Sequence, residues 1–122
     1  MTLRNDDRVR SGRVGAGLAL AVLVGSLAVA GCSSPDVIQT VFGPVAPQAR
    51  KIVECESEFN PTAVSPTNDH GLFQINIVHK ANFTKVTGQP WSAIYSPLYN
   101  TVYAKWLYDR QGWEPWSCKR VL

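Results

Sequence analysis

The sequence predicts a small, mainly α domain of the α+β class that contains one short extended or hairpin segment. Two stretches, 47–57 and 97–111, begin and end at helix start and stop residues. A turn-rich segment lies between them, at 65–71. The chain has 122 residues, which leaves room for one core after its first third is set aside. We therefore expect a single folded domain over residues 47–122.

The first third of the chain has the form of an export signal. Four arginines precede an uncharged run at 14–30 that consists almost wholly of Ala, Val, Leu and Gly. The run ends in LAVAGC, which resembles a bacterial lipobox whose cysteine is Cys32. We expect a signal peptide over 1–31 and an exported protein, anchored by a lipid at Cys32 on the outer face of the membrane. An uncleaved anchor with an incidental cysteine is the alternative, and it implies the same compartment.

Charge and cysteine content narrow the function classes. Removing the four arginines and two aspartates of the signal from twelve basic and nine acidic residues leaves eight against seven. The domain is therefore nearly neutral and lacks the basic stripe that a nucleic-acid-binding protein needs, so we expect no nucleic-acid partner.

Outside the cytoplasm, Cys55 and Cys118 are the expected disulfide pair, with two free buried thiols as the alternative. We expect a monomer with no metal and no organic cofactor.

The stretch 32–46 has no sustained period of 2 or 3.6 residues and is mixed in Ser, Pro, Gly and Val. It is interpreted as a tether, in which residues 36–42 could form a short strand or turn against the domain. A tether of this length, if extended, would let the domain stand some tens of ångströms away from a membrane.

The helix at 47–57 begins near Pro47 and stops before an Asn-Pro pair. One of its faces carries Ala49, Ile52, Val53 and Glu56 at i, i+3, i+4 and i+7. A carboxylate on such a face is partly desolvated, which raises its pKa toward the range of a general acid. Glu56 is therefore the candidate acid. The alternative is a capped or salt-bridged glutamate at a helix end.

Residues 72–77 follow the turn and alternate in polarity. Phe73 and Ile75 should face the core, whereas Gln74 and Asn76 should face the opposite side and be available to a ligand. Asp69 lies at the end of the turn, where it could act in chemistry or brace the loop.

Two strings in this region resemble known families. GluSer followed by PheAsnPro and Ala, at 56–63, resembles the soluble lytic transglycosylases. The string at 69–76, AspHisGlyLeuPheGlnIleAsn, is similar to a segment of animal-type lysozymes. Both families share the lysozyme-like fold, and the resemblance extends over residues 46–118.

The resemblance implies roles for individual residues. Glu56 matches the general acid of both families, and Asp69 matches the second carboxylate of the lysozymes, although the gap between them is shorter here. Gln74 and Asn76 match positions that line the sugar cleft. The AlaTyrAsn string of the transglycosylases is missing, which implies fewer sugar subsites.

The implied reaction is cleavage of the β-1,4 bond between N-acetylmuramic acid and N-acetylglucosamine in peptidoglycan, by hydrolysis or by lytic transglycosylation. A neutral Glu56 would protonate the leaving oxygen. Two alternatives remain open: a non-catalytic lipoprotein that binds peptidoglycan and retains the fold, and a structural lipoprotein in which the motif only builds the turn.

The second helix, 97–111, starts at a Ser-Pro pair and stops at Gly112. Two neighbouring stripes run along it, and most of their aromatic side chains should be core. One stripe is Leu98, Val102, Trp106 and Asp109, and the other is Tyr99, Tyr103, Leu107 and Arg110. Trp113 and Trp116 could stack on sugar rings or pack into the core, and packing is favoured because so small a domain needs bulky side chains.

Overall fold

The computed structural model describes residues 33–122; the predicted signal peptide, 1–31, and the predicted lipidation site, Cys32, lie outside the described residues. Four α-helices and several short 3-10 turns together form most of this part, and the mainly α prediction is confirmed. They are α1 (Ser34–Phe42), α2 (Ala46–Ser57), α3 (Lys80–Thr87) and α4 (Pro97–Gln111). Short 3-10 turns lie at Gly43–Val45, Ile77–His79, Trp91–Tyr95 and Ser117–Val121. No helix within residues 33–122 is both long and apolar enough to span a membrane.

The tether prediction for 32–46 is wrong, because most of this stretch is helix α1. Pro35 lies in the first turn of α1, and Gly43 ends the helix with a positive φ of 55°. Ile38 and Phe42, four residues apart, are 0% and 2% exposed. The Pro and Gly residues that suggested a linker are therefore helix boundaries. Folded structure begins more than ten residues before the expected boundary at 47.

Helices α2 and α4 lie where the sequence predicted them. Helix α2 ends at Glu58, which adopts the left-handed conformation with φ 52°. Helix α4 begins after Ser96, whose hydroxyl accepts a hydrogen bond from the backbone N–H of Tyr99, and ends at Gly112. These boundaries were predictable because each depends on residues within one helical turn of the helix end.

The motif segment forms a small antiparallel hairpin. Its strands, β1 (Asp69–His70) and β2 (Ile75–Asn76), pair Asp69 with Asn76 and His70 with Ile75. The turn between them leaves Phe73 fully buried. The expected inward orientation of Phe73 and Ile75 is confirmed.

The core lies where α1, α2, α4 and the hairpin meet. The buried face of α4 includes Tyr103 and Leu107 of one expected stripe, whereas Leu98 of the other stripe is 46% exposed. The buried face consists of Asn100, Thr101, Tyr103, Ala104 and Leu107. The apolar residues of α4 itself are spread over most of its circumference, so the periodicity of the sequence alone could not identify the buried face.

Candidate active site

A buried asparagine of α4 holds the hairpin turn in place. Asn100 accepts a hydrogen bond from the backbone N–H of Phe73 at 2.9 Å. Its amide nitrogen donates to the carbonyl oxygens of His70 and Ile94 at 3.0 and 2.9 Å. The backbone of Gly71, with φ 77°, passes so close that a Cβ there would lie 2.3 Å from this nitrogen. Asn100 was not identified from the sequence. Its position on the same helix face as Tyr103 and Leu107, which makes it a polar residue on a face with apolar neighbours, was an available signal.

A serine at the end of α2 joins the helix to the same turn. The buried hydroxyl of Ser57 lies 2.8 Å from the carbonyl oxygen of Leu72 and 3.2 Å from that of Val53. This contact fixes the last turn of α2, and hence the backbone of Glu56, relative to the hairpin.

Glu56 is half-buried, in contrast to the fully buried Ala49, Ile52 and Val53 of the same stripe. Its Oε1 atom accepts hydrogen bonds from the backbone N–H of Cys118 at 3.1 Å and from the hydroxyl of Ser117 at 3.4 Å. The stripe therefore ends in a polar contact with the C-terminal segment and not in the apolar core.

The predicted disulfide between Cys55 and Cys118 is confirmed, with Cα atoms 6.0 Å apart. Because Cys55 precedes Glu56 in the chain, the bridge fastens the C-terminal turn beside the candidate acid. The disulfide thus fixes the C-terminal turn next to Glu56, besides linking two distant parts of the domain.

Asp69 is braced by the loop that carries it. Its Oδ2 atom accepts hydrogen bonds from the hydroxyls of Ser65 and Thr67 at 2.7 and 2.5 Å, and Oδ1 accepts from the amide of Asn76 at 2.8 Å. Burial alone would raise the pKa of Asp69, but these three hydrogen bonds, with the nearby His70, hold it below its ordinary value. The carboxylate is therefore ionised and has a donor on each oxygen.

The two predicted sugar-binding amides also make structural contacts. Gln74, at a positive φ of 49°, donates from its amide nitrogen to the carbonyl oxygens of Ala63 and Gly71 at 3.1 and 2.9 Å. The Oδ1 atom of Asn76 accepts from the backbone N–H of Val78 at 3.1 Å and so caps the next 3-10 turn. Within residues 33–122, the Oε1 atom of Gln74 has no hydrogen-bond partner and remains open to a ligand.

A cleft of about 70 Å³ brings several predicted residues together. It is lined by Asp69, Gln74, Ile75, Asn76, His79, Leu107, Pro115 and Trp116. Glu56 is not among the lining residues. The cleft is far smaller than a typical ligand pocket of about 300 Å³ or more.

Each of the two histidines is within hydrogen-bond distance of a tyrosine hydroxyl. His70 lies 2.8 Å from the Tyr95 hydroxyl and 2.6 Å from Oδ1 of Asn68. His79 lies 2.9 Å from the Tyr103 hydroxyl, and burial lowers the pKa of its ring. In the described part of the chain, no group of three His, Cys, Asp or Glu residues could hold a metal ion.

The C-terminal tryptophans pack into the protein. Trp116 is 3% exposed, and its indole N–H donates to the carbonyl oxygen of Phe73 at 2.9 Å. Trp113 is half-buried; it stacks on Phe42 with ring centroids 5.7 Å apart and meets Tyr108 at a tilt, with ring centroids 4.5 Å apart. Packing, the favoured interpretation from sequence, describes both.

A small mainly α domain with a helix-end glutamate beside a short hairpin has the architecture of the lysozyme-like superfamily. The family model described as the transglycosylase SLT domain matches residues 42–112, which is more than half of the chain. The chain belongs to this family. No curated protein and no solved structure matches it.

Proposed function

We propose that this domain is a lytic transglycosylase that cleaves the β-1,4 bond between N-acetylmuramic acid and N-acetylglucosamine in peptidoglycan. Membership of the transglycosylase SLT family supports the reaction class. The observation that carries the proposal is the position of Glu56 in the GluSer string at the end of α2, with one carboxylate oxygen anchored and the other free of partners within residues 33–122.

In the proposed reaction, the neutral carboxyl of Glu56 donates its proton to the glycosidic oxygen as the bond to the muramic acid breaks. The resulting carboxylate then takes the proton of the substrate's own C6 hydroxyl, which attacks the anomeric carbon and closes an anhydro ring. The proton returns to Glu56, and no water is consumed. One carboxyl group suffices for this cycle.

The contacts of Asp69 support a reaction with one carboxyl group. Donors from Ser65, Thr67 and Asn76 occupy most of the lone-pair positions of its carboxylate, which leaves it little capacity to act as a nucleophile or general base. We propose a bracing role for Asp69, and its predicted catalytic role remains the competing hypothesis.

The product mixture tests the proposal directly. Purified full-length chain, kept in detergent, is incubated with intact sacculi and the soluble products are analysed by mass spectrometry. We expect anhydro-muropeptides from the wild type and at least about 100-fold less product from Glu56→Gln. The matched control is Glu58→Gln, which alters an exposed acid two residues away and should leave the rate unchanged.

Other outcomes contradict the proposal in distinguishable ways. Products with reducing ends would indicate a hydrolase. Binding to sacculi without soluble products would indicate the non-catalytic binding protein, and neither binding nor products would indicate the structural lipoprotein.

We further propose that the domain lies close to the membrane, held by a lipid on Cys32. Helix α1 begins at Ser34, so only one residue separates it from Cys32 and a long tether is lacking. Growth of an expressing bacterium with an alkyne-labelled fatty acid should label the wild type and not Cys32→Ala. Equal labelling of both, or of neither, would contradict the lipid anchor.

A further inference from the structure

The C-terminal segment, residues 113–122, is fixed to the domain at several independent points. The indole N–H of Trp116 donates to the carbonyl oxygen of Phe73, and Cys118 is joined to Cys55. The guanidinium of Arg120 donates to the carbonyl oxygen of Ser117 at 3.0 Å and so tightens the turn itself. A segment held in this way can place its own polar groups accurately.

Two of these polar groups converge on one oxygen of Glu56. The backbone N–H of Cys118 and the hydroxyl of Ser117 both donate to Oε1. Within residues 33–122, Oε2 accepts no hydrogen bond. The two oxygens of the carboxylate are therefore unequal, since one is anchored and the other is available.

The donors come from outside the part of the chain that the family model matches. That match ends at residue 112, whereas Ser117 and Cys118 lie five and six residues beyond it. The matched residues supply Glu56, and the additional segment supplies the groups that orient it.

Orientation matters because a glutamate side chain has three rotatable bonds, and fixing them costs conformational entropy. Hydrogen bonds formed before the substrate arrives meet this cost in advance, which favours the reactive geometry. Anchoring Oε1 directs Oε2 to the substrate side.

We propose that the C-terminal turn, fastened by the disulfide, positions Glu56 so that Oε2 carries the proton exchanged with the glycan. Ser117 is a positioning residue in this scheme, and the Cys55–Cys118 bridge sets the place of the Cys118 N–H. The inference rests on the proposed function, because it assigns roles to groups around the same Glu56.

Ser117→Ala tests the scheme with little risk to the fold, because Ser117 is exposed and its hydroxyl contacts only Glu56 among the described residues. With soluble uncrosslinked glycan strands as substrate, we expect kcat to fall about three- to tenfold at unchanged KM and unchanged melting temperature. Ser117→Thr, which keeps the hydroxyl, should restore most of kcat. Ser92→Ala, at an exposed serine remote in sequence, should match the wild type.

A second pair of variants tests the backbone donor. Cys55→Ala with Cys118→Ala removes the bridge and keeps the N–H, whereas Cys55→Ala with Cys118→Pro removes both. Proline is tolerated in the first turn of a helix, where Cys118 lies. Among chains that melt at the same temperature, we expect the proline variant to have a further several-fold lower kcat.

The outcomes separate this inference from the proposed function. An active wild type with an equally active Ser117→Ala variant overturns the positioning role alone. A parallel loss of kcat and melting temperature that Ser117→Thr does not reverse also overturns it. A wild type that releases no fragments overturns both proposals.

Discussion

Glu56 and Asp69 lie thirteen residues apart in the sequence, yet their carboxylates are held by opposite means. The donors to Asp69 are Ser65, Thr67 and Asn76, all within seven residues of it. The donors to Glu56 are 61 and 62 residues away. Asp69 has a donor on each oxygen, whereas Glu56 has donors on one oxygen alone. The difference is the basis of our proposal that Asp69 braces its own loop and that Glu56 acts on the substrate.

The largest expected effect on stability comes from the glycine of the Asp69 loop. Gly71→Ala would place a Cβ 2.3 Å from the Asn100 amide and 2.8 Å from the carbonyl oxygen of Ile94, at a φ of 77°. We expect a loss of about 3 kcal/mol or more in the free energy of unfolding, measured by urea denaturation.

The matched control is Gly88→Ala, which has a similar φ of 71° and nothing within 4 Å of the added Cβ. It should cost only about 1 kcal/mol, the part due to backbone conformation. Equal losses in the two variants would show that the close approach to Asn100 contributes nothing, and the turn would then not depend on α4.

A smaller effect is expected at the brace itself. Asp69→Asn keeps the shape and removes the charge, so we expect a loss of about 1 kcal/mol at neutral pH, since the group is half-buried. The pKa of Asp69 is lower in the folded protein than its ordinary value. The carboxylate therefore stabilises the fold at pH values above the ordinary pKa, and this stabilisation is lost as the pH falls through the folded-state pKa.

The difference in stability between wild type and Asp69→Asn should therefore be constant above about pH 5 and shrink as pH falls below about 4. Urea denaturation at a series of pH values measures it. A difference that grows on acidification would mean that the pKa of Asp69 is raised, as in a general acid, and would reverse the roles given to the two carboxylates.

The same contrast between local and distant contacts explains what the sequence could predict. The Ser96–Pro97 start of α4 and its Gly112 stop are local signals, and both were correct. The polar loop around Asp69 already favoured a brace as strongly as a catalytic role. The disulfide followed from two cysteines in a chain that the sequence predicts to be exported.

The remaining features depend on contacts distant in sequence. Helix α1 has only nine residues and is stabilised by burial of Ile38 and Phe42 against the rest of the core, so its own pattern resembled a linker. The donors to Glu56 are brought to it by the fold of the C-terminal segment. Local pattern therefore identified Glu56 and did not reveal how it is held.

The most direct test of the central claim compares Glu56→Gln with Asp69→Asn in the same assay of anhydro-muropeptide release from sacculi, at neutral pH and a temperature at which both variants are folded. We predict at least about a 100-fold loss for Glu56→Gln and a rate within about threefold of wild type for Asp69→Asn. A folded Asp69→Asn variant as inactive as Glu56→Gln would show that the two carboxylates react as a pair. An active Glu56→Gln variant would show that Glu56 is not the acid.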